Sequence, residues 1–218
     1  MNIIFFGPPG SGKGTQASII SKKLNIPAIS TGEILRSEVN KKTELGDFAS
    51  SFINTGQLVP DDLVVKMISN RISLEDCCSG FILDGFPRNY NQALEFQKML
   101  YEYNKKLDLI VKFDISSDVL IKRITGRFSC GNCLQIYNKY FKRTRQEGIC
   151  DECGSKTFVE RKDDNESVLR DRLIVYEKEI YELTKFYQKN ILIILIDALQ
   201  DASLISDILI SKISYLKS

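Results

Sequence analysis

Nine residues constrain this chain more than any others: Gly7-Pro-Pro-Gly-Ser-Gly-Lys-Gly-Thr15. An apolar run, Asn-Ile-Ile-Phe-Phe at 2–6, precedes them and reads as a buried strand. Thr15 to Leu24 follows with helical spacing at Ala17, Ile20 and Leu24. Glycines let a loop point successive N–H groups at one anion, and the helix start adds the positive end of its dipole. Strand, loop, lysine and helix together predict a nucleotide phosphate site, with Lys13 reaching the β and γ phosphates. The spacing misses the strict G-x4-G-K-[ST] pattern by one residue, because Gly14 intervenes before Thr15.

The rest of the chain repeats strand and helix. Phe81 to Leu83 reads as a strand ending at Asp84-Gly85, and Leu109 to Ile115 and Ile191 to Ile196 as two more. Helical spacing marks Leu45–Ile53, Leu63–Ile72, Asn91–Tyr103, Ser117 to about Ile124, Glu166–Lys189 and Ala202–Leu216. Pro60 followed by Asp61 and Asp62 suits a helix entry. Such alternation implies an α/β fold with a parallel sheet and helices on both faces. Two stretches break the rhythm: 30–59, helical with no strand, and 126–163, rich in Cys, Gly, Lys and Tyr. Both read as insertions at the carboxyl edge of the sheet, where α/β folds bind ligands. At 218 residues the chain suits one domain, or one domain with inserted modules.

Thirty Lys+Arg against 28 Asp+Glu leave a formal charge of +2, too balanced to suggest nonspecific nucleic-acid or membrane binding. The longest aliphatic run, Ile191 to Ile196, falls far short of the ~20 residues that cross a bilayer. The first strand lacks a basic flank and a small-residue cleavage site, so the expectation is a soluble, cytoplasmic chain. With no histidine, histidine triads, bases and metal ligands are excluded. Asp84, at a strand end, can hold Mg²⁺ through water, or be no more than a turn aspartate.

The cysteines supply a second chemistry. Cys130-Gly-Asn-Cys133 and Cys150-Asp-Glu-Cys153 are sixteen residues apart, the spacing of a four-thiolate zinc site. Four sulfurs also suit iron; two disulfides are disfavoured in a cytosolic chain. Four protein ligands leave no open position, so the expected role is structural, in an insertion with few aliphatics to bury. Cys77 and Cys78 lie outside the knuckles and read as inert thiols.

Six stretches, taken in order, resemble the adenylate kinase family over essentially the whole chain. They are Gly7-Pro-Pro-Gly-Ser-Gly-Lys-Gly-Thr-Gln16, Ser30-Thr-Gly-Glu-Ile-Leu-Arg36, Gly56-Gln-Leu-Val59, Leu83-Asp-Gly-Phe-Pro-Arg88 with Gln92, Arg123 with Arg127, and Arg161-Lys-Asp-Asp164 with Arg172. The resemblance implies a P-loop core of five parallel strands over 1–29, 60–125 and 164–218. It implies a monophosphate-binding insertion at 30–59 and a mobile lid at 126–163. The implied reaction is ATP + AMP ⇌ 2 ADP with Mg²⁺, in nucleotide homeostasis. By resemblance Lys13, Arg88, Arg127, Arg161 and Arg172 are catalytic. ATP falls to Gly10, Ser11, Gly12, Lys13, Gly14, Thr15, Arg123, Arg127, Ile136, Tyr137 and Gln200, and Mg²⁺ to Thr15 and Asp84 through water. AMP falls to Thr31, Arg36, Gln57, Leu58, Val59, Gly85, Phe86, Pro87, Arg88, Gln92, Arg161 and Arg172. An amide matches adenine's edge in one plane, which favours Gln92 as its reader. Asp163 is expected to orient a lid arginine.

Residue chemistry agrees with this. Phosphoryl transfer needs positioning and cations more than covalent help. Six of the ten arginines fall within the matching stretches, where a planar fork suits phosphate better than the lysine ammonium. The chain departs from the family pattern at Asn89, where threonine is expected, and at Asn138, where many relatives carry histidine. It departs again at Ala198-Leu199-Gln200, where a glycine turn is usual, so GTP stays open as donor. The competing readings are a UMP, CMP or GMP kinase, a zinc-ribbon nucleic-acid binder using Lys139, Lys142, Arg143 and Arg145, and a P-loop GTPase. The last lacks an N-K-x-D run. Neither nucleic acid nor membrane is expected as partner, and monomer is the default.

Overall fold

A computed structural model describes residues 1–55, 57–161 and 163–217. Gly56 and Lys162, each part of a matching stretch, and Ser218 lie outside the described residues. In chain order the elements are β1 (Asn2–Phe6), α1 (Lys13–Leu24), β2 (Ala28–Ser30), α2 (Thr31–Lys41), α3 (Glu44–Thr55), α4 (Asp61–Ile72), β3 (Phe81–Asp84) and α5 (Tyr90–Glu102). There follow β4 (Leu109–Asp114), α6 (Ser117–Thr125), β5 (Arg127–Cys130), β6 (Ile136–Asn138), β7 (Phe158–Val159), α7 (Glu166–Tyr187), β8 (Ile193–Asp197) and α8 (Ala202–Lys217).

The main sheet has five strands in the order β2-β3-β1-β4-β8, all parallel. Every residue of β1 is buried, as its position between β3 and β4 demands. One face packs Ile4, Leu83 and Ile110 against α4, α5 and the end of α7; the other packs Ile3, Phe5, Ile82 and Val111 against α1 and α8. The strand register sets the site. Ser30 pairs with Asp84, and Asp84 with Phe5, so three chain segments leave the sheet side by side. The phosphate loop, Thr31 and Gly85 therefore begin at one edge.

β2 is a strand that apolar patterning does not mark, and its last residue, Ser30, opens the stretch 30–59 read as helical with no strand. It is three residues long with only Ile29 buried. Apolar periodicity cannot register in so short an edge strand; its pairing with β3 creates it. Within 126–163, where the sequence shows little helical periodicity, β5 pairs antiparallel with β6 and β7. Its core is aromatic: Phe128 and Tyr137 stack with centroids 5.6 Å apart, and Phe158 meets each edge-on. Cys130 and Cys150 are buried against these rings.

Candidate active site

A cleft of about 650 Å³ opens at the carboxyl edge of the sheet, lined by the phosphate loop, Asp84, Arg36, Arg88, Arg123, Arg127, Arg161 and Arg172. The loop is shaped by its glycines. Gly12, φ +92°, ends the loop as N-cap of α1; a Cβ there would meet nothing within 4 Å, so conformation rather than space requires glycine. The first turn of α1 lines the cleft, presenting N–H groups that have no partner within a helix.

Lys13 lies along this loop. Its Nζ donates to the carbonyls of Gly7 at 2.7 Å and Pro8 at 2.9 Å, with Asp84 Oδ1 4.0 Å away. Burial lowers its pKa to about 8; Arg88 and Arg127 push the same way and Asp84 opposes them. The Asp84 carboxylate sits beside Gly14, where a Cβ would lie 3.5 Å from Oδ2. Thr15 and Asp84 both line the cleft, and hydroxyl and carboxylate oxygens are the hard donors that fit Mg²⁺ and its waters.

The arginines converge from separate elements and depress one another. Desolvation is the largest cause at Arg36, Arg88, Arg123 and Arg161, and brings Arg161 to about 10. Arg172 adds repulsion at Arg88, and Arg127 adds it at Arg36 and Arg161. Arg88 still reaches solvent through the cleft mouth. An anion entering here relieves both burial and repulsion. Two carboxylates hold the set in place. Arg127 pairs with Asp164, its Nε 2.6 Å from Oδ2, and Arg172 pairs with Asp163. Desolvation raises the Asp163 pKa, but Arg172 and then Arg36 outweigh it and hold it below the usual range. Arg161 lies 3.6 Å from Glu33 on α2, a link between the lid end and the first insertion.

All five residues expected to be catalytic line this cleft. So do Gly10, Ser11, Gly12, Lys13, Gly14, Thr15, Arg123, Ile136, Tyr137 and Gln200. Tyr137 is only 1% exposed, however. Its hydroxyl accepts from Asp151 N at 2.7 Å and lies 3.4 Å from Cys150 Sγ, so the phenol belongs to the lid core. The Ala198 turn needs no glycine: Asp197 Oδ1 accepts from Leu199 N, an Asx turn.

The AMP set divides. Arg36, Leu58, Gly85, Pro87, Arg88, Arg161 and Arg172 line the cleft; Thr31, Gln57, Val59, Phe86 and Gln92 do not. Thr31 Oγ1 donates to Gly85 O at 2.9 Å. Gly85, φ +83°, is the gap where Thr31 and Arg88 meet, since a Cβ would lie 2.9 Å from Thr31 Oγ1. Val59 and Phe86 are core residues. Gln92 is 1% exposed, its Oε1 accepting from Arg88 N and its Nε2 donating to Asp61 Oδ1. Asn89 caps α5 through Gln92 N and also donates to Asp61.

Sequence reasoning missed Glu33 and Phe141, and did not assign Asp164 to Arg127. Phe141 lines the cleft with Arg123 5.9 Å from its ring centroid. Asp164 stood inside a matching stretch, but nothing local marks a partner 37 positions away.

The sulfurs of Cys130, Cys133, Cys150 and Cys153 all lie within 4.8 Å of one another. Cys130–Cys153 and Cys133–Cys150 are 3.6 and 3.5 Å apart, with no disulfide. A tetrahedron with bonds of ~2.3 Å has edges of ~3.8 Å, so the thiols fit a metal such as zinc. Cys77 is buried, where desolvation chiefly raises its pKa to about 11; Cys78 is exposed.

The family model described as Adenylate kinase matches residues 5–192. The adenylate kinase of Clostridium tetani is 45% identical over 89% of this chain and 90% of its own length. That of Thermodesulfovibrio yellowstonii is 47% identical over 87% and 88%, and that of Methanocella arvoryzae 44% over 90% and 91%. The phosphate loop, the converging arginines and these matches agree: this chain belongs to the adenylate kinase family.

Proposed function

We propose that the protein transfers a phosphoryl group between ATP and AMP, giving two ADP. The observation that carries this reading is the convergence of Lys13 and six arginines, from separate segments, on one cleft beside a phosphate loop. Two phosphate-bearing nucleotides must be held against their mutual repulsion, and a cage of arginines with Lys13 does that without a protein base. ATP's phosphates rest on the loop and on Lys13, its base between Arg123 and the 198–200 turn. AMP's phosphate rests on Arg36 and Arg88. Arg127, Arg161 and Arg172 close over the transferring group, exclude water and bring donor and acceptor into line. Gln92 reads the AMP base by exchanging its Asp61 partner for adenine, with Thr31 and the 57–59 backbone beside it.

Thr15 and Asp84 hold Mg²⁺ through water, and the ion supplies charge neutralisation between the phosphates. Cys130, Cys133, Cys150 and Cys153 hold a structural Zn²⁺ that stabilises a lid at 126–163. The core spans 1–29, 60–125 and 164–218, with 30–59 as the AMP insertion. No helix among the described residues is long and apolar enough to cross a membrane; the proposed setting is the cytoplasm, as a monomer.

The test is incubation of the protein with Mg-ATP and each of AMP, GMP, CMP and UMP, following diphosphate formation. ADP from AMP alone is expected. Preference for another monophosphate overturns the role of Gln92, and no transfer to any overturns the reaction.

A further inference from the structure

One amide in the lid touches both halves of an aromatic–cation pair at the cleft. Asn138, at the end of β6, is 9% exposed. Its Nδ2 donates to the Arg123 carbonyl at 2.8 Å, and its Oδ1 accepts from Tyr140 N at 2.9 Å and Phe141 N at 3.2 Å. Its backbone bridges Lys142. Space is tight: a Cβ on Gly126 would lie 2.9 Å from Oδ1. Arg123 and Phe141 are the two residues so joined, and their side chains face each other at 5.9 Å. Arg123 Nη2 also donates to Ala198 O at 2.8 Å, tying the pair to the 198–200 turn.

We propose that Asn138 is a positioning residue for the donor base: it sets Arg123 and Phe141 in register as a clamp on the base's π face. This rests on the proposed placing of ATP in the cleft. Its Oδ1 is filled by two N–H donors and one of its two Nδ2 hydrogens is held by the Arg123 carbonyl, so Asn138 acts chiefly through these neighbours. Guanidinium plane and aromatic ring both bind flat π surfaces. The grip is therefore indifferent to the pattern of the purine's edge, which adenine and guanine do not share. Phe141 is 55% exposed; two backbone bonds between Asn138 and Lys142 close the turn that carries it, and the Asn138 amide adds the bond to the Phe141 N–H.

The experiment is calorimetric binding of Mg-ATP, Mg-GTP and AMP to the wild-type protein, Asn138→Ala and Asn138→Asp, with metal content and turnover measured alongside. Asn138→Ala is expected to weaken ATP about fivefold to tenfold, between the exposed and the desolvated limits of a cation–π contact, and AMP by less than about twofold. GTP is expected to weaken by the same factor as ATP. Asn138→Asp keeps both N–H acceptances, sets a carboxylate against the Arg123 carbonyl, and is expected to fall between. Unchanged ATP binding in Asn138→Ala, or equal loss of AMP, overturns the proposal. A selectivity shift of about tenfold between ATP and GTP also overturns it, since that marks direct edge reading. If Asn138→Ala loses its metal, Phe141→Ala decides: it removes the ring and leaves the turn, and unchanged ATP binding there overturns the clamp. Turnover of the wild type judges the reaction separately, because these ratios are read from binding alone.

Discussion

The five-stranded sheet and the lid sheet solve the same problem with different materials. The first buries two aliphatic layers, with Ile3, Ile4, Ile82 and Leu83 at 0% exposure between helices on both sides. The second has three short strands, three aromatic rings and four thiols. A core of the first kind is cooperative and rigid. A module of the second kind has little to bury, and the proposed metal between its four sulfurs would supply what burial does not. The aliphatic core thus lies beneath the phosphate loop, and the small aromatic and thiol core lies in the segment proposed as the lid.

The largest separation of function from stability comes at the seam between the regions. Arg88→Ala is expected to lower turnover by at least ~10²-fold, the scale for losing a preorganised donor to developing charge. Within the fold its guanidinium donates to Gly85 O, a single neutral acceptor, so the melting temperature should hold. Steady-state kinetics beside a thermal melt checks both, and near-normal turnover removes Arg88 from the site. Next comes metal removal. Chelation is expected to lower the melting midpoint by about 5–10 °C, equal to a few kcal/mol at this chain length, and to open 126–163 to protease first. An unchanged melt after confirmed metal loss breaks the contrast between the two sheets. Ile82→Ala, a cavity between the helix layers, is expected to cost ~2–5 kcal/mol while leaving metal content untouched.

A pH profile gives a smaller and more specific signal. The Lys13 pKa is lowered to about 8 from 10.5, so the folded protein disfavours its charge. That penalty is in full force below pH 8, where both folded and unfolded forms are protonated. It is relieved as pH rises from 8 towards 10.5, where only the unfolded form stays charged. Binding runs the other way: kcat/KM for Mg-ATP should fall above about pH 8, while kcat, governed by the phosphate-bound lysine, holds to higher pH. A kcat/KM flat to pH 9.5 would remove the lysine charge from ATP capture. The smallest change is expected on the lid surface. Glu160→Gln breaks an ion pair with Lys139 whose side chains are 63% and 51% exposed, and melt and kinetics should both stay within error.

Much of the main sheet was legible because burial on both faces writes short apolar runs, as at Ile3–Phe6 and Leu109–Val111. Ala28–Ser30 was not, because a three-residue edge strand is defined by its neighbour. The lid strands were hidden for a related reason: Arg127-Phe-Ser-Cys130 is too short and too polar to show a period. In the site, the loop and the arginines were legible because their chemistry is carried by residue type. Their partners were not. Neither the Asp164 grip on Arg127 nor the engagement of Gln92 by Asp61 leaves a local trace.

The Arg127–Asp164 pair joins the first residue of β5 to a residue just before α7, 37 positions later, and so ties the two ends, or stems, of the 126–163 segment proposed as a lid. Asp163 next door holds Arg172 of α7. The stems therefore cannot splay apart without loosening two of the proposed transfer cations. For a phosphotransferase this bears on thrift: the arrangement that drives transfer is complete only when the stems are together. If 126–163 moves as the proposed lid, a donor nucleotide bound with the stems apart would meet water in a site short of two of its proposed cations, and its hydrolysis would be slowed.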